Sequence, residues 1–273
     1  MFEGNVRLIS MLGVLTLVVI VGLVLDYFHI LRRPVRLSMG VALLAMMAGA
    51  GLTLSAVLPD NHVYGPVFAE VQTKQKIVAL TFDDGPYPPY TGKILDILQE
   101  RNVRATFFLV GGNAAKNPQL VQRMVAEGHQ IGNHTYNHVD LLKLDRLAAA
   151  DEIDRTNAVL QAQTGLTPQV VRPPHGFRDP AVMDMLAGRG LKVVEWSVMS
   201  KDWTNPGVQA IVRRTVDKVQ NGSVILLHDG DGIACKADRS QTVAATRQII
   251  DELQAKGYRF VTVNEILQSR EET

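Results

Sequence analysis

The stretch Ile77-Val78-Ala79-Leu80-Thr81-Phe82-Asp83-Asp84-Gly85-Pro86 ends an apolar run with two carboxylates and a Gly-Pro turn. A second motif, His134-Thr135-Tyr136-Asn137-His138, follows later in the chain. Two imidazoles four residues apart are expected to lie one helical turn apart on one face, where both reach a single ion and a carboxylate completes the ligand set. The other aspartate is then free to act as a base. Because a structural metal site has no use for a spare acid, the pattern predicts an enzyme that activates water.

Strand-like and helix-like segments alternate from Lys76 onward. Seven short apolar or β-branched segments are predicted strands: Ile77 to Phe82, Ala105 to Val110, Gln130 to Asn133, Val170 to Arg172, Lys192 to Trp196, Ser223 to Leu227 and Arg259 to Thr262. Six segments with apolar residues at helical spacing are predicted helices: Gly92 to Glu100, Pro118 to Glu127, Leu147 to Gln163, Pro180 to Ala187, Val208 to Val219 and Gln241 to Lys256. Repeated strand–helix units of this kind indicate a parallel sheet.

The polar residues with candidate chemistry come just after predicted strands. They are Asp83, Asp84, His134, Arg172, Asp202 and His228. A (β/α) barrel gathers its functional residues at the ends of several strands, whereas an open doubly wound sheet spreads them along a crevice. Five contributing strand ends therefore favour an α/β fold of the barrel type. Because seven strands are fewer than a full barrel has, we expect a distorted or incomplete (β/α) barrel with parallel strands.

Two N-terminal stretches, Leu8 to Leu25 and Leu37 to Leu58, contain no charged residue. Uncharged runs of this length predict two transmembrane helices. The connector between them carries Arg32, Arg33 and Arg36, which the positive-inside rule places in the cytoplasm, so both chain ends are expected outside. A cleaved signal peptide that uses these arginines is the alternative, but it leaves the first stretch unexplained.

The predicted organisation has three parts: a membrane anchor with two transmembrane helices at 1–58, a linker at 59–75 and a catalytic domain at 76–268. The expected location is the cell membrane, multi-pass, with the catalytic domain on the extracytoplasmic side. The chain carries 28 basic and 27 acidic residues with no evident basic face, which argues against a nucleic-acid binder. Cys235 is the only cysteine, so an intramolecular disulfide is excluded.

Five motifs resemble, in order, those of the polysaccharide deacetylases, carbohydrate esterase family four. They are Thr81-Phe82-Asp83-Asp84-Gly85-Pro86, His134-Thr135-Tyr136-Asn137-His138, Arg172-Pro173-Pro174-His175-Gly176, Asp202-Trp203 and Leu226-Leu227-His228. The likeness runs from about Lys76 to Leu267. It implies a distorted (β/α) barrel, a divalent metal and the removal of acetyl groups from N-acetylated sugars. Zinc is the metal that the resemblance favours, with Co²⁺, Mn²⁺ or Ni²⁺ as alternatives.

The resemblance also assigns a role to each motif residue. The metal ligands would be Asp84, His134 and His138; the catalytic residues Asp83, His228, Arg172 and Asp202; the substrate-binding residues Pro174, His175, Trp203 and Leu226. Asp83 would be the general base, with Arg172 favouring its ionised form. His228 would protonate the leaving amine, with Asp202 favouring the imidazolium. The metal and the backbone N–H of His175 would stabilise the oxyanion.

Three features depart from the family pattern. His175 stands where the family usually has Tyr or Phe, Met199 stands where it often has Asp, and the loop from Gly232 to Asp238 looks longer than the family's turn. The contact assigned to His175 is made by its backbone amide, which every residue except proline supplies. We therefore expect activity to persist with His175 and Met199, whereas the longer loop can reshape one rim of the cleft.

The leading hypothesis is a membrane-anchored, metal-dependent N-deacetylase of N-acetylhexosamine residues in an envelope polysaccharide, with peptidoglycan N-acetylglucosamine as the first substrate. A lipid-linked acetylated sugar or a chitooligosaccharide is the alternative substrate. A glycan-binding protein that has lost catalysis stays open, and His175 in place of the family's aromatic residue is the only sequence feature that suggests it. An iron oxygenase with a two-histidine, one-carboxylate site would share the ligand set, but it gives Asp83, Arg172 and His228 no role.

Overall fold

The computed structural model describes residues 17–22, 24–25, 27 and 33–269. The contacts divide the chain into two compact units, of which one ends at Val57 and the other begins at Leu58. Within the first unit a helix spans Arg33–Val57, and its Gly40–Val57 segment is the one helix of the described residues that is long and apolar enough to cross a membrane. Most of the first predicted span, Leu8 to Leu25, lies outside the described residues. Of the two predicted spans, the second, Leu37 to Leu58, therefore corresponds to one candidate helix, and the first is not tested.

The second unit is built on a nine-stranded sheet in the described part of the chain. Its strands are β1 Val67–Phe68, β2 Ile77–Asp83, β3 Thr106–Leu109, β4 Gln130–Asn133, β5 Val170–Val171, β6 Lys192–Val194, β7 Val198–Met199, β8 Val224–His228 and β9 Arg259–Val261. Their order is β1-β6-β5-β4-β3-β2-β8-β7, and β9 pairs with the first residues of β2. All these pairings are parallel. The sheet is curled and open between β1 and β7, which confirms the prediction of an incomplete barrel.

Helices cover the outside of the curled sheet, as parallel strands require. They are Tyr90–Glu100, Gly111–Lys116, Pro118–Ala126, Arg146–Thr164, Pro180–Ala187, Val208–Val216, Ser240–Ala255 and Val263–Gln268, with 3₁₀ turns at Leu141–Lys143, Pro174–Gly176 and Asp202–Thr204. All seven residues of β2 are buried, and the rings of Phe82 and Phe107 stack with centroids 5.1 Å apart. A strand buried on both faces reads as a continuous apolar run, which is why the sequence located β2 well.

Two short strands and two short helices escaped the sequence analysis: β1, β7, Gly111–Lys116 and Val263–Gln268. A two-residue strand is too short to show alternation. β1 lies inside the segment that was predicted to be a linker, yet it pairs with β6, and Val67, Ala69 and Val71 are buried. The segment 59–75 is therefore partly incorporated into the sheet rather than extended throughout.

Candidate active site

A cleft of about 630 Å³ opens at the carboxyl ends of the parallel strands. Eight predicted site residues line it: Asp83, Asp84, His134, His138, His175, Trp203, Leu226 and His228. The other three, Arg172, Pro174 and Asp202, are buried behind its wall. Eight lining residues were not predicted: Asp140, Lys143, Phe177, Trp196, Met199, Asp231, Gly232 and Arg239. Parallel strands bring these distant segments together because their carboxyl ends share one edge.

Asp84, His134 and His138 offer ligand atoms that all lie within 4.8 Å of one another. The Asp84 Oδ1 atom is 3.0 Å from His138 Nε2 and 3.4 Å from His134 Nε2. That oxygen is buried and has no hydrogen-bond partner among the described residues. A buried carboxylate oxygen without a donor is costly, and a cation is the partner that this donor set suits. The cluster therefore fits a divalent metal ion.

The two histidines do not lie on a helix, which corrects the expectation of one helical turn. Thr135 and His138 have left-handed φ angles of 62° and 54°, so the segment is a tight loop. Glu152, on the helix Arg146–Thr164, holds this loop by accepting hydrogen bonds from the Tyr136 N–H at 2.9 Å, the Asn137 N–H at 2.7 Å and the Asn137 side-chain amide at 2.6 Å. The two imidazoles still face each other, with ring centroids 5.0 Å apart.

Backbone contacts orient the candidate ligands. His134 Nδ1 lies 2.6 Å from the carbonyl oxygen of Arg172 and donates to it, which leaves Nε2 as the free lone pair towards Asp84. Asn113 donates at 2.9 Å to the carbonyl oxygen of Asp84 and at 2.7 Å to that of Gly232. Burial alone would raise the pKa of Asp84, but the two adjacent imidazoles and the charge of His228 lower that pKa well below its usual range. The carboxylate is therefore ionised over the whole range in which a metal could bind.

Asp83, the last residue of β2, lies next to the ligand cluster, with its Oδ2 atom 3.9 Å from His134 Nε2. Its Oδ1 atom accepts a hydrogen bond of 2.6 Å from Arg172 Nη1. Arg172 is fully buried and also donates to the Thr81 hydroxyl and to the carbonyls of Val194 and Glu195. A buried guanidinium with every nitrogen engaged fixes the Asp83 carboxylate in place.

His228 ends β8 at the position paired with Asp83 of β2, and it forms an ion pair with buried Asp202, in which Nδ1 lies 2.9 Å from Oδ1. The Asp202 carboxylate also accepts hydrogen bonds from the His228 N–H, the Ser200 hydroxyl and the Thr242 hydroxyl. Burial alone would lower the pKa of His228, but the charge and hydrogen bond of Asp202, with smaller contributions from Asp84 and Asp83, raise it from 6.5 to about 9. The imidazole is therefore protonated at neutral pH.

The predicted substrate-binding residues that line the cleft include both apolar and polar side chains. Trp203 is 40% exposed and meets the His228 ring edge to face at 5.0 Å. Leu226 is buried in β8 but reaches the cleft. His175 is exposed, packs against His138 and Phe177 with ring centroids 5.4 Å away in each case, and has a left-handed φ of 62°. An apolar floor beside charged groups suits a small apolar group such as an acetyl methyl.

Four residues that shape the site were not predicted: Asn113, Glu152, Ser200 and Thr242. Glu152 and Asn113 carry no local signal, because each lies on a helix and acts on a loop far away in sequence. Thr242 belongs to Arg239-Ser240-Gln241-Thr242, a segment outside the five motifs whose sequence also resembles the family. Only that last residue could have been found from the sequence.

Comparisons with known proteins agree with this geometry. A family model described as polysaccharide deacetylase matches residues 70–194. A peptidoglycan-N-acetylglucosamine deacetylase of Bacillus cereus is 42% identical over 212 residues, which are 74% of this chain and 93% of that protein. A chitooligosaccharide deacetylase of Sinorhizobium fredii is 41% identical over 191 residues, which are 66% of this chain and 87% of that protein.

A solved structure extends the comparison to three dimensions. The crystal structure of the Bc1960 peptidoglycan N-acetylglucosamine deacetylase, in complex with 4-naphthalen-1-yl-N-oxidanyl-benzamide, matches with a TM-score of 0.70 and 37% sequence identity over 73% of this chain and 92% of that chain. The likeness covers nearly the whole of each relative. The chain therefore belongs to the polysaccharide deacetylase family, carbohydrate esterase family four.

Proposed function

We propose that the protein is a metal-dependent hydrolase that removes the acetyl group from N-acetylhexosamine residues of a glycan and releases acetate. The observation that carries this proposal is the buried Asp84 oxygen without a donor, in a cleft that is also lined by Asp83, held by Arg172, and by His228, held by Asp202. A proton acceptor and a proton donor beside a cation site are what hydrolysis of an amide needs.

Asp84, His134 and His138 are the residues that would hold the metal. Two imidazoles and one carboxylate suit zinc, and they also suit Co²⁺, Mn²⁺ or Ni²⁺. When bound, such a cation polarises the acetyl carbonyl and lowers the pKa of a coordinated water towards about 7. Three protein ligands leave coordination positions open, which distinguishes a catalytic site from a structural one.

Asp83 acts as the general base in this proposal. Its Oδ1 atom is held by Arg172, and its Oδ2 atom faces the ligand cluster near His134. It can therefore accept the proton of the attacking water without binding the cation itself. The hydrogen bond from Arg172 keeps the carboxylate oriented while it gains that proton.

His228 acts as the general acid. An amine anion is a very poor leaving group, so the C–N bond breaks only as a proton reaches the nitrogen. The imidazolium is held for this transfer by Asp202, whose carboxylate accepts both the Nδ1–H and the backbone N–H of His228. Nε2 is then the position that donates the proton to the leaving amine.

The remaining predicted residues bind and stabilise the substrate. The backbone N–H of His175 stabilises the oxyanion, a type of donor whose loss costs about 10²- to 10³-fold in rate. Pro174 fixes the loop that presents it, and Trp203 and Leu226 contact the acetyl methyl and the sugar. The indole at the rim has the amphipathic character that a sugar ring needs.

We propose peptidoglycan as the first substrate, with N-acetylglucosamine as the deacetylated sugar. The support is the higher coverage and identity of the Bacillus cereus relative. A chitooligosaccharide is the second candidate, because the Sinorhizobium fredii relative is almost as similar. Acetate release from purified peptidoglycan, chitopentaose and a lipid-linked acetylated sugar, measured side by side, separates these substrates.

The central experiment compares wild type with Asp83→Asn, with and without a chelator. We expect acetate release that the chelator abolishes and that added Zn²⁺ restores, and we expect Asp83→Asn to lose at least about 10²-fold in kcat because it removes the base. Chelator-insensitive release would contradict metal dependence. Equal activity of wild type and Asp83→Asn would instead favour a glycan-binding protein without catalysis at this site.

We further propose that the N-terminal unit anchors the domain in the cell membrane through two helices, with residues 76–268 outside the cytoplasm. The helix Gly40–Val57 supports this, since only 11% of it is buried and apolar residues such as Val41 and Leu44 are more than 60% exposed. Cys235, a free and partly exposed thiol in the catalytic unit, provides the test. A membrane-impermeant maleimide should label intact spheroplasts of wild type but not of Cys235→Ser, whereas labelling only after lysis would place the domain in the cytoplasm.

A further inference from the structure

Arg178 is a fully buried arginine just behind the loop that carries His175. Its Nη1 atom donates at 2.7 Å to the carbonyl oxygen of Gly176. Its Nη2 atom donates to the carbonyl oxygens of Leu58 at 2.6 Å, Pro59 at 3.3 Å and Asn61 at 3.0 Å. One guanidinium therefore ties the loop beside the cleft to the segment where the catalytic unit begins.

The loop needs such a restraint, because two successive residues in it are left-handed. His175 has a φ of 62° and Gly176 a φ of 73°. A left-handed non-glycine residue is held only where the surrounding contacts determine it. Arg178 binds the carbonyl oxygen of Gly176, which is the residue directly after His175 in the chain.

A buried carboxylate completes this arrangement. Glu195 is fully buried, and its Oε1 atom lies 3.6 Å from Arg178 Nη1. A Cβ atom at Gly176 would lie 2.6 Å from Glu195 Oε2, so the loop packs directly on this side chain. The backbone carbonyl of Glu195 accepts a hydrogen bond of 2.8 Å from Arg172, the partner of Asp83. Arg178 and Glu195 thus lie next to both the loop that carries His175 and Arg172, the residue that holds Asp83.

We propose that Arg178 is a positioning residue for deacetylation and that the backbone carbonyls of the segment 58–61, by binding Arg178, help to position the loop that carries His175. The inference rests on the proposed function, because it assigns the His175 backbone N–H to the oxyanion. Arg178 holds the His175 loop in its left-handed conformation by bridging Gly176 to the linker. No side chain of the segment 58–61 is required, since the contacts are to main-chain oxygens.

The first test substitutes Arg178 in the full-length protein. Arg178→Lys keeps the positive charge beside Glu195 but lacks the forked donors that reach Gly176 and the linker at once. We expect kcat per folded, metal-loaded molecule to fall about 10- to 100-fold, because small displacements of reacting groups are that costly. KM should change by no more than about 2-fold, since the interaction belongs to the transition state.

The matched control is Arg189→Lys. Arg189 also makes a forked contact, with Nε and Nη2 each 2.7 Å from an oxygen of Asp154, but at the protein surface. We expect its kcat to equal that of wild type. A role of Arg178 in folding alone would lower the melting temperature and the yield while kcat per folded, metal-loaded molecule stayed at the wild-type value, and that result would overturn the proposal.

The second test keeps Arg178 and changes the linker, so that it decides the question even if Arg178→Lys does not fold. Two glycines inserted between Pro59 and Asp60 separate the carbonyls that Arg178 binds, whereas the same insertion between Val57 and Leu58 leaves all three in register. We expect the first insertion to lower kcat as Arg178→Lys does and the second to leave it unchanged. Equal kcat for both insertions would refute a role for the linker, while an inactive wild type would refute the proposed function instead.

Discussion

Two buried aspartates of the site, Asp84 and Asp202, have contrasting surroundings. The Asp202 carboxylate accepts hydrogen bonds from Ser200, Thr242 and both the backbone and the ring of His228. The Asp84 carboxylate is also buried, although less completely, yet its Oδ1 atom has no hydrogen-bond partner in the described part of the chain. The protein alone therefore supplies the hydrogen bonds of Asp202, whereas the free oxygen of Asp84 suits the divalent cation proposed above.

The two halves of the site are stabilised in different ways. The acid half, Asp202 with His228, is a complete ion pair and needs no ligand to be formed. The metal half, Asp84 with His134 and His138, depends on hydrogen bonds from residues that are not candidate ligands. Glu152 accepts hydrogen bonds from the backbone of the histidine loop, and Asn113 donates one to the backbone carbonyl of Asp84. Substitutions in the acid half should therefore alter proton transfer, and those in the metal half should alter metal affinity.

The largest effect should come from Asp84→Asn, which removes the anionic ligand. Loss of the cation forfeits several kcal/mol of transition-state stabilisation, so we expect kcat to fall at least about 10³-fold. Elemental analysis after desalting should show less than a stoichiometric amount of metal. If the variant kept one metal per chain with wild-type affinity, the assignment of Asp84 as a ligand would be wrong.

A loss that is nearly as large is expected for His228→Gln, but by a different route. Removal of a general acid costs about 10²- to 10⁴-fold in kcat, and the metal content should stay at the wild-type level. Elemental analysis and acetate release measured on the same preparation test this contrast with Asp84→Asn. Parallel loss of metal from both variants would abolish the distinction between the two halves.

Glu152→Gln should weaken metal binding without touching the ligands. The substituted amide can no longer accept all the donors of Tyr136 and Asn137, and a lost supporting contact of this kind typically costs about 10- to 100-fold in metal affinity. Competition with a fluorescent chelator measures the change. Asp154→Asn, on the same helix but exposed, is the control and should bind metal as wild type does.

The pH dependence of kcat reports on the acid half. Because the pKa of His228 is raised to about 9, the protonated acid is present below that pH, and kcat should fall as the pH rises through about 9. A cation on Asp84 offsets part of the negative charge, so this limb lies at or somewhat below that value. Asp202→Asn should move the limb towards 6.5, a loss of roughly 30-fold at pH 8 from protonation alone. An unmoved limb would show that the titrating group is not His228.

The smallest effect should be that of Thr242→Val. It removes one hydrogen bond to the charged Asp202 carboxylate, so we expect unfolding free energy to fall by about 1 to 3 kcal/mol, with metal affinity unchanged. Chemical denaturation measures this loss. Thr246→Val is the matched control, because its buried hydroxyl bonds only to the helix carbonyl of Thr242, and it should cost less.

The sequence indicated the chemistry of the cleft better than its geometry. The apolar run of β2 followed by two aspartates, and β8 followed by His228, located side chains at strand ends because hydrophobic patterning is local. The helical turn expected for His134 and His138 was wrong, since the conformation of that loop depends on Glu152, a residue outside it. The roles of the individual site residues stay proposals until the variants are measured.

Three properties could be inferred from the amino-acid sequence alone: the family, the alternation of strands and helices, and the set of side chains that meet at one edge of a parallel sheet. These properties follow from short-range patterns and from motifs that can be recognised without knowing how the side chains pack. The three-dimensional structure was needed to show which oxygen of Asp84 lacks a donor, which residue holds the histidine loop, and that Arg178 bridges the His175 loop to Leu58. Glu152 lies 16 residues from Tyr136, and Arg178 lies 120 residues from Leu58, so neither contact is encoded in a local sequence pattern.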